Sequence, residues 1–598
     1  MLRVLLLFPI VVVTLAFATF AFGGHCALWQ WWLAAVFAVA AGFWRRPVRE
    51  GIRAGLLFLA WMAIVWVGCG LAVAPNWYDE AVYHIPAVRM LADGWNPLYV
   101  NTPEELLRLT GFAPTDFRVD HVLFMPKIVW VFSAVAYFFT GDLFNPLVPI
   151  LWFLLPAVLV RVWRSLEGVP LVWKLLSVPL VYCLLLNLAY VVDVVVQLAA
   201  LGLLLSFEET LSGRRTDVLS LVVYSFWMMG AKTPGLLHGG LFWVIFIGFA
   251  LAWKVDWRPL ARVVAVVSAL LALTCSTPYL TSICNYRHPF YPSYTFDEKR
   301  FPVRDITEDF ITCQNEDAAS MGFFGRYVHS FISPSLACAW YRWRFQKPAF
   351  RPYSANHRHY PNNGDGSKPT RQSMRIAFWL SVVLLLFAGR RSFRPLVLMV
   401  VLGIGAAPLP MMGYIRYVPW WLLPVLFLYI DLVCRGDRGR KSLACLVALG
   451  AFSIRPYTLP VKLGYSVGLV EERRLLQGLL AGERPLPPIR PCWNQSQAQL
   501  KMMRCRFPAL AKARALPYSE ALAEGLRHEG AELPGKLFVF ADADETRRMA
   551  YRPPSDLVGG GAFVLHTMFV SLPCAIAERI ASLWGAGPNC DSRKGEGG

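Results

Sequence analysis

Charge is scarce in this chain. Asp, Glu, Lys and Arg make up 16% of 598 residues and hydrophobic residues 56%, whereas about a quarter of an ordinary soluble domain is charged and just under half is apolar. That balance excludes a soluble globular enzyme and points to a polytopic membrane protein. Carboxylates are the scarcer half, 39 against 58 Lys and Arg, for a formal net charge of +19. In a soluble domain such an excess would suggest nucleic acid. Here much of it lies in short connections between apolar runs, where it sets orientation, so no nucleic-acid partner is expected. The 13 cysteines contain no C-x-x-C pair and no zinc-finger spacing, which argues against a metal cluster. A dinucleotide fingerprint is missing too, and GDGSKPT at 364–370 lacks the Gly-Lys-Ser/Thr order of a phosphate loop. A nucleotide-linked substrate therefore has no evident cradle. Neither an internal repeat nor a heptad pattern is present.

What the chain does have is apolar runs near 4–22, 27–44, 55–74, 146–163, 173–190, 191–207, 217–231, 235–253, 262–280, 375–389, 395–412, 416–432 and 441–454. They predict about thirteen membrane helices, the first retained rather than cleaved as a signal peptide. Lys and Arg crowd alternate turns: Arg45, Arg46, Arg49 and Arg53; Arg161, Arg164 and Lys174; Arg214 and Arg215; Lys254, Arg258 and Arg262; Arg390, Arg391 and Arg394; Arg435, Arg438, Arg440 and Lys441. By the positive-inside rule those turns and the N-terminus are cytoplasmic. Three long segments, 75–145, 281–371 and 453–598, then fall on the outer face. The first should lie along the membrane as juxtamembrane helices, with the second packed over it. Residues 1–454 form the membrane domain. The tail, 455–598, carries a strand pattern at 536–543 and a further strand and helix within 562–584, which predicts a small α/β domain outside the membrane. A bacterial cytoplasmic membrane is the expected setting.

Within the first outer segment, 76–99 reads NWYDEAVYHIPAVRMLADGWNPLY. Pro86 should open a short helix and Gly94 close it, which leaves Asp79 and Glu80 as adjacent carboxylates just ahead of it, followed by His84. The plain alternative is a solvated helix start, where negative charge suits the dipole. Further on, FRVDHVLFMPKIVWVFSAVAYFFTGD at 117–142 places Asp120, His121 and Lys127 before an amphipathic aromatic stretch. An anion to take a proton from an incoming hydroxyl, with a cation to hold a departing phosphate, is what displacement on a phosphate-linked substrate requires. Lys232 and Arg416 break the positive-inside pattern, and Asp193 lies between two apolar runs. Ionisable groups at such depth face a cavity or a partner, unless they snorkel to water or cap a helix. Arg416 and Tyr417 sit in MGYIRYVPWWLLP at 412–424, and His288 in NYRHPFYP at 285–292. A guanidinium binds phosphate or sugar hydroxyls through a fixed fork, whereas His288 also suits a plain turn.

These motifs together resemble the C-type (GT-C) glycosyltransferase superfamily: an Asp-Glu pair followed by Y-H-x-P-A and G-W-N-P, a later P-K before a stretch ending T-G-D, an outer N-Y-x-H-P-x-Y-P, and R-Y-x-P in a late helix. Its members, protein O-mannosyltransferases and lipid A aminoarabinose transferases among them, use polyprenyl-phosphate-linked sugars. The resemblance covers roughly 56–430 and implies an all-α polytopic fold of the GT-C type. It further implies a base at Asp79 or Glu80, a donor-phosphate contact at Lys127 and a site acid at Asp193. The expected substrates are a lipid-phosphate-linked sugar as donor and an envelope glycan, lipid or protein as acceptor, with His84, His121, Lys232, His288, Arg416 and Tyr417 as further substrate contacts. No metal-ligating set and no firm cofactor is implied, and the need for a divalent cation stays open. A single Pro precedes Lys127 in place of the Lys-Pro-Pro run of the lipid A enzymes, so acceptor identity does not carry over. A transporter or flippase of lipid-linked glycans, a polysaccharide polymerase or ligase, and a non-catalytic membrane scaffold are the competing readings.

Overall fold

A computed structural model of the chain describes residues 2–43, 47–70, 83–110, 119–140, 148–185, 192–212, 217–289, 381–384, 390–406, 423–434, 437–453, 489–491 and 538–540. These residues are overwhelmingly helical. In order they form α1 (Leu2–Ala21), α2 (Leu28–Phe43), α3 (Val48–Gly70), α4 (Ile85–Ala92), α5 (Pro103–Thr110), α6 (Val119–Phe124), α7 (Ile128–Thr140), α8 (Val148–Ser165), α9 (Leu171–Leu185), α10 (Asp193–Leu211), α11 (Val218–Ala231), α12 (Thr233–Ala252), α13 (Arg258–Thr274), α14 (Ser276–Tyr286), α15 (Arg390–Ala406), α16 (Leu423–Cys434) and α17 (Arg438–Ser453).

Among the described residues α1, α3, α10 and α12 are long and apolar enough to cross a bilayer, and α13 with α14 makes a fifth crossing if the bent pair is one span. Shorter apolar helices are described as well, Leu28–Ala41, Ile128–Thr140 and Val218–Ala231 among them. The run at 262–280, expected as one span, is bent by 62° between α13 and α14. Thr277 sits at φ −105°, ψ 128°, the extended conformation that a following proline, here Pro278, favours. Apolar side chains on the outside of the bundle, such as Val36 (65% exposed), Leu56 (63%) and Val244 (71%), are left largely uncovered among the described residues and suit lipid.

The centre is α10, buried along nearly its whole length as a helix apolar all round must be. It packs on α8, α11 and α12. Beside it Phe8 of α1 gathers Trp31, Phe58, Phe132 and Phe153 at ring distances of 4.7, 5.4, 6.4 and 5.0 Å, mostly edge to face, the arrangement that ring quadrupoles favour. Helices α11 and α12 reverse through a single extended residue, Lys232, at φ −156°, ψ 149°. So tight a turn brings the backbones together: a Cβ on Gly235 would run into the carbonyl oxygen of Met228. Trp243 Nε1 donates to Ser225 Oγ at 3.0 Å and ties the two helices farther along.

At the other end of α10 and α11, the fully buried Arg161 of α8 donates to Glu209, Asp217 and Ser220. Asp217 also caps α11 by accepting from the Ser220 amide at 3.3 Å. Arg161 therefore does more than mark a basic turn. It closes a buried ionic cluster over three helices.

The short helices after α3 follow the sequence. α4 carries Pro86 in its first turn, and Gly94 just past its end takes φ 104°, open to glycine and strained for other residues. Asn96 Nδ2 donates to the carbonyls of Phe20 and Gly24, both at 2.9 Å, which clamps this segment to the α1–α2 turn. Phe124 of α6 and Tyr286 of α14 meet edge to face at 5.5 Å; the rest of the second outer segment, from 290 on, lies outside the described residues. In the tail the strand expected at 536–543 appears as Phe538–Phe540, antiparallel to Ile489–Pro491.

Two glycines of α12 should respond with opposite signs. Gly235→Ala drives a methyl into backbone and should destabilise by about 1–3 kcal/mol, while a Cβ on Gly240 meets nothing within 4 Å, so Gly240→Ala should stabilise by about 0.5–1 kcal/mol through helix propensity. Thermal unfolding of both variants in detergent measures this, and an equal effect of the two would refute the close approach.

Candidate functional site

The start of α4, the start of α7, the start of α10 and the α11–α12 reversal meet at one end of the bundle. Between them lies a small recess, with room for about one water molecule, lined by Tyr83, His84, Met125, Pro126, Trp130, Val192, Ala231 and Lys232. Three features give it chemistry.

The first is an ion pair. Lys232 Nζ lies 2.8 Å from Asp193 Oδ1, with side-chain exposures of 12% and 5%. Asp193 is the first residue of α10, where the helix dipole favours an anion, and the abrupt reversal leaves Lys232 at the same level. Two of the three outlying charges of the sequence, Asp193 and Lys232, are thus accounted for by each other. Neither is tolerable alone at that burial.

The second is an imidazole in a fixed setting. His84 is 1% exposed; its Nδ1 accepts from Trp130 Nε1 at 2.6 Å, and the Tyr83 ring lies 4.3 Å away. Trp130 stands 46 residues along the chain from His84, and sequence reading passed over it as part of an aromatic membrane-facing stretch. No spacing rule links the two, because the contact exists only where α4 packs on α7.

Lys127 is the third, and it turns inward. It is completely buried, donates to the carbonyls of Leu123 at 2.6 Å and Met125 at 2.5 Å, and lies 5.7 Å from the Trp130 ring centroid. A cation there satisfies the last carbonyls of α6 and suits the negative end of its dipole. Burial pushes the Lys127 ammonium well below the usual lysine range, and the Cys275 thiol opposes that shift without cancelling it. Its neighbours Met125, Pro126 and Trp130 line the recess, and Lys127 itself does not.

His288 is buried just beyond α14, after Arg287 in the left-handed conformation at φ 56°, and it is not part of the recess wall. His121 falls on α6 with its side chain outside the described residues. Asp79, Glu80, Arg416 and Tyr417 also lie outside the described residues. The recess therefore brings together His84 and Lys232 from the residues picked out in the sequence, with Asp193 behind Lys232 as its partner, and adds Tyr83 and Trp130. No family model, curated protein or solved structure matches this chain.

The ion pair has a distinctive signature. Lys232→Met leaves the Asp193 carboxylate buried without its counter-ion and should cost about 3–5 kcal/mol, whereas Lys232→Met combined with Asp193→Leu should recover most of that loss. A double-mutant cycle by chemical unfolding in detergent reads the coupling. Simple additivity of the two changes would show that the charges do not depend on each other.

Proposed function

We propose that the chain is an integral membrane glycosyltransferase that moves a sugar from a polyprenyl-phosphate carrier to an acceptor hydroxyl on the extracytoplasmic face. In this reading about thirteen membrane helices, some of them short, carry the site, and the α/β tail stands outside the membrane. One observation supports it above the others: the Lys232–Asp193 pair and His84 converge on a recess whose wall includes Tyr83, only three residues after Glu80. Three residues of fully extended chain span at most about 11 Å, so covalent connection alone keeps the carboxylate pair in the neighbourhood of the recess.

The chemistry follows from those groups. Asp79 or Glu80 takes the proton of the acceptor hydroxyl as its oxygen attacks the anomeric carbon. The bond from that carbon to the phosphate oxygen breaks, its electron pair leaves with the polyprenyl phosphate, and the configuration inverts. A phosphate entering the recess competes with Asp193 for the Lys232 ammonium, and a preorganised cation at the leaving oxygen stabilises the developing charge. Lys232 thus takes the phosphate contact that the resemblance assigned to Lys127, whose ammonium is engaged by the end of α6. Arg416, with Tyr417 beside it, is the second phosphate or sugar contact in this scheme. His121 and His288 complete the set of substrate contacts, and the acceptor is an envelope glycan, lipid or protein.

One feature favours a second reading, a flippase of lipid-linked glycans: the 62° break between α13 and α14, since transporters build their sites on interrupted helices. A flippase would move the carrier lipid across vesicles and release no lipid phosphate.

Purified protein incubated with a panel of labelled polyprenyl-phosphate sugars should release polyprenyl phosphate. Loss of a general base costs about 10²- to 10⁴-fold in rate, so either Asp79→Asn or Glu80→Gln should fall by that much while the protein remains folded. Undiminished transfer in both variants would remove the acidic pair from the mechanism.

A further inference from the structure

We infer that Trp130 is a positioning residue that holds His84 as a neutral imidazole with its proton on Nε2, which makes His84 a hydrogen-bond donor to the recess and not its base. An indole nitrogen can only donate. Its N–H is 2.6 Å from His84 Nδ1, so the Nδ1 lone pair is the acceptor. A neutral imidazole carries one proton, which must then reside on Nε2. An imidazolium would set a second N–H directly against that of Trp130 within a buried contact, both side chains being 1% exposed. Among the described residues, the charged groups near His84 are two lysines and an aspartate. The Trp130 ring already faces the Lys127 ammonium, Lys232 lines the same recess, and the one carboxylate described at this level, Asp193, is engaged by Lys232.

The His84 ring therefore offers the recess an N–H, and its partner is an oxygen that accepts. Resting on the glycosyltransferase reading, that oxygen belongs to the lipid phosphate of the donor, and Lys232 and His84 share its charge as cation and neutral donor. Proton removal is left to the Asp79–Glu80 pair. The division of labour is set by a tryptophan that touches no substrate.

The test uses the full-length protein in lipid nanodiscs, labelled with nitrogen-15 in its histidine rings. Long-range nitrogen–proton correlation distinguishes the two neutral tautomers, and loss of one signal set in His84→Asn assigns His84. The expected wild-type pattern is a single Nε2–H tautomer, and Trp130→Phe, which keeps an aromatic ring and removes only the donor, should replace it with exchange between tautomers. A wild-type His84 protonated on Nδ1 or on both nitrogens would overturn the inference, as would a Trp130→Phe spectrum identical to the wild type. Added undecaprenyl phosphate should then shift the Nε2 resonance. With the tautomer as expected and no shift on adding the lipid, the phosphate reading of the recess fails while the assignment of Trp130 and His84 stands.

Discussion

An ammonium and a carboxylate removed from water each carry a desolvation cost of several kcal/mol, and only mutual contact offsets it. The arrangement of α10, α11 and α12 can be understood from that constraint. Asp193 opens α10 and Lys232 separates α11 from α12, so the salt bridge forms only if the start of one helix and the reversal of the other two come to the same level. The buried flank of α10 then packs mainly along α11, with α12 against α11 on its own account. At the opposite end of the same helices Arg161 draws Glu209 and Asp217 together. The apolar middle is held between two ionic clusters, each stable only while the helices keep their relative heights.

Close approach is the second condition. Lys232 can reverse the chain alone because Gly235 leaves room for the Met228 carbonyl. The aromatic group around Phe8 fills the space among α1, α2, α3, α7 and α8. The charged groups of the recess sit at helix ends. Precise placement of functional groups calls for such support.

The residues just before α4, those just after α6 and the start of α7 form walls of the recess, and each of these short segments is fastened by a polar contact. Asn96 ties the segment after α4 to the α1–α2 turn, Lys127 closes the end of α6, and Trp130 joins α7 to His84. Lys127 shows how a residue type acquires its role from surroundings. Its chemistry suits a phosphate, yet the carbonyls of its own helix end are nearer, and a buried cation takes the partners within reach. Lys232, two helices away in the fold, is the cation that borders the recess.

Much of the architecture was legible in the residues alone, because hydropathy, helix-breaking residues and positive turns act over short stretches of chain. The apolar runs foretold the helices, Pro86 and Gly94 bounded α4, and the strand at 538–540 fell within its predicted segment. Sequence also singled out Asp193 and Lys232 as charges out of place, since an ionisable group in an apolar run is costly wherever it ends up. It was silent on their pairing, on the hydrogen bond between His84 and Trp130, and on the inward turn of Lys127. It placed 262–280 as one span and gave no sign of the bend between α13 and α14. Those outcomes depend on which helix faces which, and that is set by packing between segments tens of residues apart. Local composition carries no record of it: the chain alone determined where helices form and which charges need partners, and the tertiary structure decided which partners they found.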